Sequence, residues 1–350
     1  MFDSAPFSHF TPTDYRPAIE KAIAESLVEI DHITQNPAPA TFENTVAALA
    51  YVGLDLDRLT AMFFNLNSAE TNKTLQAEAQ RISPLLSDYS NDIRLNEALF
   101  KRVKAVYDQR ENLSLSAEQQ TLLEKTYKGF TRNGANLSLN DKERLREIDK
   151  QLASLKLKFS ENVLSETQHY QWVITDKEQL SGLPDFVLEM LAQEAQKRQL
   201  KGWGITLDMP VYTAVMKYAD NRALRQKLFT DYHSRCAGES AFSNEANVLR
   251  IAELRQARAT LLGYPSYAAF ALEERMAETP EKVMSFLNEL LSKAKPQALK
   301  ELEELKIFSG LTDFQQWDFA YYAEKLKQER KNYAAARQHA TDLINAGNQA

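Results

Sequence analysis

The sequence predicts a predominantly all-α protein, a body of long helices carrying one small two-stranded β element near residues 170–207. Three observations carry that prediction. Glycine (10) and proline (11) are scarce in 350 residues, whereas sheet-rich folds need such residues at their many turns. Apolar residues recur at three- and four-residue steps along most of the chain, the spacing that gathers them on one helical face. Alternation with the period of a strand is confined to a single region.

The first helix is expected from about Thr13 to His32, with Tyr15, Ile19, Ile23, Leu27 and Ile30 as its stripe. Thr13 is its expected N-cap, and Asn36-Pro37-Ala38-Pro39 stops it. Thr41 caps a second helix that leads through Leu49, Val52, Leu56 and Leu59 to Met62-Phe63-Phe64. A third begins near Ser68 or Thr71 and reaches Ile93. Pro84 lies inside it, and because the periodicity resumes afterwards a kink is expected, not an end. Leu99, Val103 and Val106 mark a fourth helix. Asn133-Gly134 is a turn, after which Asn140 or Asp141 opens a long helix faced by Leu145, Ile148, Leu152, Leu155, Phe159 and Val163.

Tyr170 to Ile174 and Gly202 to Leu207 read as strands, separated by a helix from Asp185 to Gln199. Two strands do not make a free-standing sheet, so the pair should lie on helices. Helices resume at Tyr212 to Tyr232, Ser243 to Leu262, Tyr267 to Glu274 and Pro280 to Phe308. The last has proline at its first position and acid in its first turn, both favourable there. No fixed repeat suggests a solenoid. An internal domain boundary is placed near 130–140, with 168–212 as the alternative.

The formal net charge is -6, and no Lys/Arg stripe interleaved with aromatics opposes it, so nucleic-acid binding is not expected. No apolar run approaches the roughly 20 residues that span a bilayer. The start, Met1-Phe2-Asp3-Ser4-Ala5-Pro6, lacks the basic and apolar regions of a secretory signal, and cytoplasmic residence is the expectation. The single cysteine, Cys236, cannot build a disulfide framework and reads as a small buried residue.

Chemistry-bearing motifs are missing. The closest of the five histidines (His9, His32, His169, His233, His339) are 23 residues apart, so no two share a helical face as a His-Glu-x-x-His zinc site requires. No Gly-x-Ser-x-Gly elbow occurs, and Gly202-x-Gly204 lacks a third glycine and precedes a strand. Paired acids such as Glu273-Glu274 and Glu301 with Glu303-Glu304 read as solvated faces. No catalytic, cofactor-binding or metal-ligating residue is therefore assigned. Trp317-Asp318-Phe319-Ala320-Tyr321-Tyr322 is the densest polar-aromatic segment. It reads as a helix start packing Trp317 and Tyr321, or alternatively as Trp317, Tyr321 and Tyr322 lining a ligand cleft.

Taken in order, Thr41-Phe42-Glu43-Asn44-Thr45, Phe64-Asn65-Leu66, the helix from Leu145-Arg146-Glu147 to Glu161-Asn162, Leu180-Ser181-Gly182-Leu183-Pro184 and the Trp317 to Tyr322 segment resemble the zinc oligopeptidase family, of the thimet oligopeptidase type. The resemblance runs nearly end to end through about Arg330. It implies a nearly all-helical protein whose two bodies flank a deep channel admitting short peptides. It also implies a zinc held by two histidines of a helical His-Glu-x-x-His and a downstream glutamate, activating water. In that family the zinc segment lies well beyond the Trp-Asp-x-x-Tyr-Tyr region, and only 28 residues follow Tyr322 here. Residues 1–330 are thus expected to be the N-terminal, channel-wall portion, silent alone and binding no cofactor. Residues 331–350 are expected to form an unrelated Ala-rich helical tail. A non-catalytic peptide- or protein-binding scaffold is the alternative. In either case an apolar face left exposed would promote association.

Overall fold

A computed structural model of the chain describes residues 7–347; residues 1–6, on which the leader reading rests, lie outside them. In chain order the helices are α1 (Tyr15–Thr34), a π-helical stretch (Phe42–Ala47) running into α2 (Ala48–Ala50), α3 (Leu54–Ala69), α4 (Lys73–Arg94), α5 (Glu97–Asp108), α6 (Ala117–Thr131) and α7 (Leu139–His169). Strand β1 (Trp172–Ile174), α8 (Asp185–Lys197) and strand β2 (Trp203–Ile205) follow. The chain continues through α9 (Met209–Tyr218), α10 (Arg222–His233), α11 (Glu245–Leu261), α12 (Tyr267–Leu272), α13 (Pro280–Ser309) and α14 (Gln316–Gly347). This is the all-α body with a small β element that the sequence predicts. None of the described helices is long and apolar enough to cross a membrane.

Side chains next to several helices explain their ends. The N-cap residue of α1 is Asp14, not Thr13; its carboxylate makes no bond to the helix and takes hydrogen bonds from the Thr11 amide and hydroxyl at 2.8 and 2.7 Å. Thr41 and Asn44 form a reciprocal capping box, as expected of Thr41. The helix expected to continue from there to Phe64 is broken at Gly53 (φ 76°), whose amide donates to Glu29 at 2.9 Å. Pro84 is accommodated within α4. The cap of α7 is Ser138, which accepts from the Asp141 amide, one turn before the expected opening. The single helix expected over 212–232 is two, because Asn221 accepts from the Ala223 and Leu224 amides and starts α10 afresh. Residues 331–347 simply continue α14.

The chain divides into two compact units. One runs to Glu161 and resumes over Ala246–Thr279; the other holds Asn162–Glu245 and the chain from Pro280 onward. The first break falls inside α7, past the 130–140 turn where the sequence places a boundary. The core of the first unit joins Tyr15 and Ile19 of α1, Phe63 of α3 and Ile82 of α4, and, further along, Leu99 and Val103 of α5 with Phe130 of α6. Side chains of this size stabilise by about 1.5–3 kcal/mol each when fully buried.

In the second unit, β1 and β2 pair antiparallel with Trp172 opposite Ile205 and Ile174 opposite Trp203. Ile174 and Ile205 pack on Val187 and Leu191 of α8, with Val215 and Leu228 completing the core. Gly204 permits this approach, since a Cβ there would sit 3.1 Å from the Ala195 amide nitrogen.

Candidate functional site

The segment singled out by its aromatics is organised around the one acid within it. Asp318, in the first turn of α14, is fully buried at 0% exposure. Arg222 grips it through Nε (3.0 Å) and Nη2 (2.8 Å), Arg225 through Nη2 (2.9 Å), and the Gln315 amide donates to it at 3.0 Å. Arg225 is itself 1% exposed and spends its remaining donors on the carbonyls of Trp317, Ala219 and Asp220. A buried ion pair is sustained only when every donor and lone pair is used in this way. Burial acts to raise the Asp318 pKa, but the Arg222 guanidinium, the Gln315 amide and Arg225 outweigh it and hold it below the usual value.

The candidate cleft residues fall around this network. The Arg225 guanidinium lies 4.1 Å from the centre of the Tyr321 ring. The Tyr321 hydroxyl donates to Asp220 at 2.7 Å, and Ser181 donates to the other Asp220 oxygen at 3.0 Å. Burial and the Asp220 charge push the Tyr321 phenol up to about 12. Tyr322 turns to Phe308 and Phe314, and Trp317 sets its ring edge on Phe229. The Trp317 Nε1 is buried with no partner. Tyr321 and Tyr322 touch edge to face at 5.0 Å, while Trp317 faces a different neighbour. Tyr321 is therefore engaged in holding α14 to the segment before α10. The sequence reading missed Arg222, Arg225 and Asp220. The available signal was two arginines three apart on a helix whose only acid, Asp231, lies near its end.

Possible zinc ligands are scattered. Among the described residues no group of three or more His, Cys, Asp or Glu side chains is placed to hold a metal ion. Nδ1 of His169 donates to the Ser165 carbonyl at 2.7 Å, and Nδ1 of His233 to the Phe229 carbonyl at 2.8 Å. Each is a local helix-end bond, and neither ring is turned toward a second histidine. His9 and His32 are exposed. The donor set of the described residues does not fit the zinc that the resemblance implies. Cys236 is buried, and burial together with nearby Glu166 pushes its thiol up to about 11, away from thiolate chemistry. Glu273 and Glu274 are ion-paired rather than freely solvated, Glu273 to Arg132 and Glu274 to Lys125 and Lys128.

Residues 215–342 match the model of peptidase family M3, a span that contains Arg222, Arg225 and Asp318 and runs past residue 330 into the Ala-rich segment. Over 335 residues the chain is 33% identical to oligopeptidase A of Escherichia coli, covering 93% of this chain and 49% of that protein. The chain belongs to peptidase family M3. Dipeptidyl carboxypeptidase of E. coli is 33% identical over 329 residues, covering 93% of this chain and 48% of that protein. Saccharolysin of Saccharomyces cerevisiae is 27% identical over 338 residues, covering 92% and 46%. This M3 chain thus spans about half the length of the curated relatives it matches. The similarity is spread over both compact units, and the family model falls on the stretch that builds the Asp318 network.

Proposed function

We propose that this M3 chain is the helical, peptide-enclosing portion of a zinc-dependent oligopeptidase, and that the zinc and its ligands come from residues outside these 350. The observation that carries the reading is the coverage: 93% of the chain matches only 49% of oligopeptidase A. Short peptides are then the substrate of the complete enzyme, which acts in the cytoplasm. A channel that excludes folded proteins is part of the same reading. The purified chain, given zinc and a quenched fluorogenic peptide, is expected to show no turnover above background. Turnover abolished by a chelator would overturn the proposal.

The association surface belongs to the same reading. Along α13, Phe286, Leu287, Leu290 and Leu291 are all about half exposed or more, and they recur at the spacing of one helical face. Such a stripe normally faces a core, and a patch of this kind marks an interface. We assign it to contact with the remaining half of the enzyme. Changing Leu290 and Leu291 together to glutamate is expected to convert self-associating chain into monomer in size-exclusion chromatography without altering the helical circular dichroism signal. A wild-type chain that elutes as a clean monomer at high concentration would count against an open apolar interface.

A further inference from the structure

Helices α4 and α7 face each other in the first unit, and the α4 face is polar where a helix pair ordinarily packs apolar residues. Ser87, Ser90, Asn91 and Arg94 on α4 follow i, i+3, i+4, i+7 spacing, and Asp149, Leu152, Ala153 and Lys156 on α7 repeat it. Together they leave a cleft of about 370 Å³, open to solvent on one side and lined further by Arg258 of α11 and by Tyr267 and Phe270 of α12. Flanking cross-links hold the two helices in place: Arg146 to Asp92 at 2.6 Å, Lys150 to Asp88 at 3.3 Å and Gln80 to Glu161 at 2.7 Å.

The lining is rich in donors and short of acceptors. Asn91 is 2% exposed, and its amide nitrogen is buried with no partner. Buried donors of this kind are rarely left unmatched in folded proteins. Arg94 and Lys156 are exposed at the rim and Ser87 and Ser90 are half-buried; none of the four donates a side-chain hydrogen bond to another described residue. The one carboxylate, Asp149, is taken by Arg258 Nε at 2.7 Å, and Arg258 Nη2 goes to Asn133 at 3.0 Å. Of the three cations along the lining, only Arg258 has a carboxylate partner, and Arg94 and Lys156 present their charges at the rim. Crowding by protein atoms, and then the Arg258 charge, lower the Arg94 pKa, with Asp149 offsetting them in part. An incoming anion would relieve that repulsion.

We propose that this cleft binds a small organic anion through its carboxylate or phosphate group, with Arg94, Lys156 and the Asn91 amide as donors and the Tyr267 and Phe270 rings as an apolar wall. The volume is at the lower end of small-molecule sites and exceeds what one inorganic ion fills. Guanidinium groups and amide donors are the usual partners of both oxyanions. The proposal does not depend on peptidase activity.

The test is calorimetric titration of the full chain with inorganic phosphate, with an acetylated dipeptide bearing a free carboxylate, and with the same dipeptide as its C-terminal amide. Saturable binding of either anion is expected, with none for the amide, and the stronger arm identifies the oxyanion. Arg94→Gln, which removes no side-chain hydrogen bond or ion pair among the described residues, is expected to weaken that binding about tenfold or more, the loss of one charge-assisted hydrogen bond. Asn91→Leu, which removes the orphaned donor, should weaken it as well. Arg144→Gln, on an exposed position of α7, should leave it unchanged. No saturable binding by either anion, equal affinity in Arg94→Gln, or an equal loss in Arg144→Gln would each overturn the assignment.

Discussion

Replacing Asp318 by alanine is expected to destabilise the second unit by about 3–5 kcal/mol, the loss typical when one partner of a buried ion network is removed. Arg225, at 1% exposure, would keep its charge with no carboxylate within reach, and the bidentate grip of Arg222 would be lost. Asp318→Asn, which keeps the shape but not the charge, should fall between that variant and the native chain. Replacing Arg222 and Arg225 by methionine together with Asp318→Leu should recover much of the loss, since apolar side chains of similar volume do not need partners. The three tryptophans, Trp172, Trp203 and Trp317, all lie in the second unit, so denaturation followed by tryptophan fluorescence reads this unit selectively. A loss below about 1 kcal/mol, the scale of an exposed pair, would show that water satisfies the arginines.

The same network has a pH signature of definite sign. The Asp318 pKa is lowered in the folded chain, so folding favours its ionised form. Its contribution is complete above the unfolded carboxylate value, near 3.9. It is lost as the pH falls through that value and then through the lower folded one. Acid unfolding of the second unit in the native chain should thus begin below about pH 4 in this respect, and the Asp318→Asn variant should lack that component.

Helices were legible wherever apolar periodicity and a capping side chain agreed, as at Thr41 or at Pro280, which begins α13. They were lost where one of the two was overlooked. α6 escaped the periodic reading although Ser116 and Gln119 form a capping box visible as Ser-x-x-Gln in the sequence. The break between α9 and α10 was hidden because apolar residues continue through Ala219, and a single Asn221 side chain decides it. The aromatic segment at 317–322 drew attention for its rings, yet its burial is governed by the acid between them. That acid's partners lie more than 90 residues away in sequence, Arg222 and Arg225. No local pattern conveys a pairing of that length; only the fold brings the charges together.

The second large effect is expected at Gly182, in the Leu180-Ser181-Gly182-Leu183-Pro184 segment that contributes to the family resemblance. Its φ of 84° is left-handed, and a Cβ there would meet the Tyr218 carbonyl and the Asp220 carboxyl carbon, the latter at 2.6 Å. Gly182→Ala is expected to cost about 2–4 kcal/mol, combining the left-handed penalty for a Cβ with over-packing against backbone that cannot yield. The Asp220 amide is fixed to the Ser181 carbonyl at 2.8 Å, so the loop cannot open without breaking that bond. Gly129→Ala provides the contrast. It lies within α6 with no atom within 4 Å of the added carbon, and is expected to stabilise by about 0.5–1 kcal/mol. Because Asp220 also accepts from Tyr321, displacing it should lower the Tyr321 phenol from about 12 toward an ordinary value. For the same reason Gly182→Ala and Tyr321→Phe should combine to cost less than the sum of the two, since both act on the one carboxylate. Strict additivity in tryptophan-monitored denaturation would mean that the Gly182 turn and the start of α14 are energetically independent.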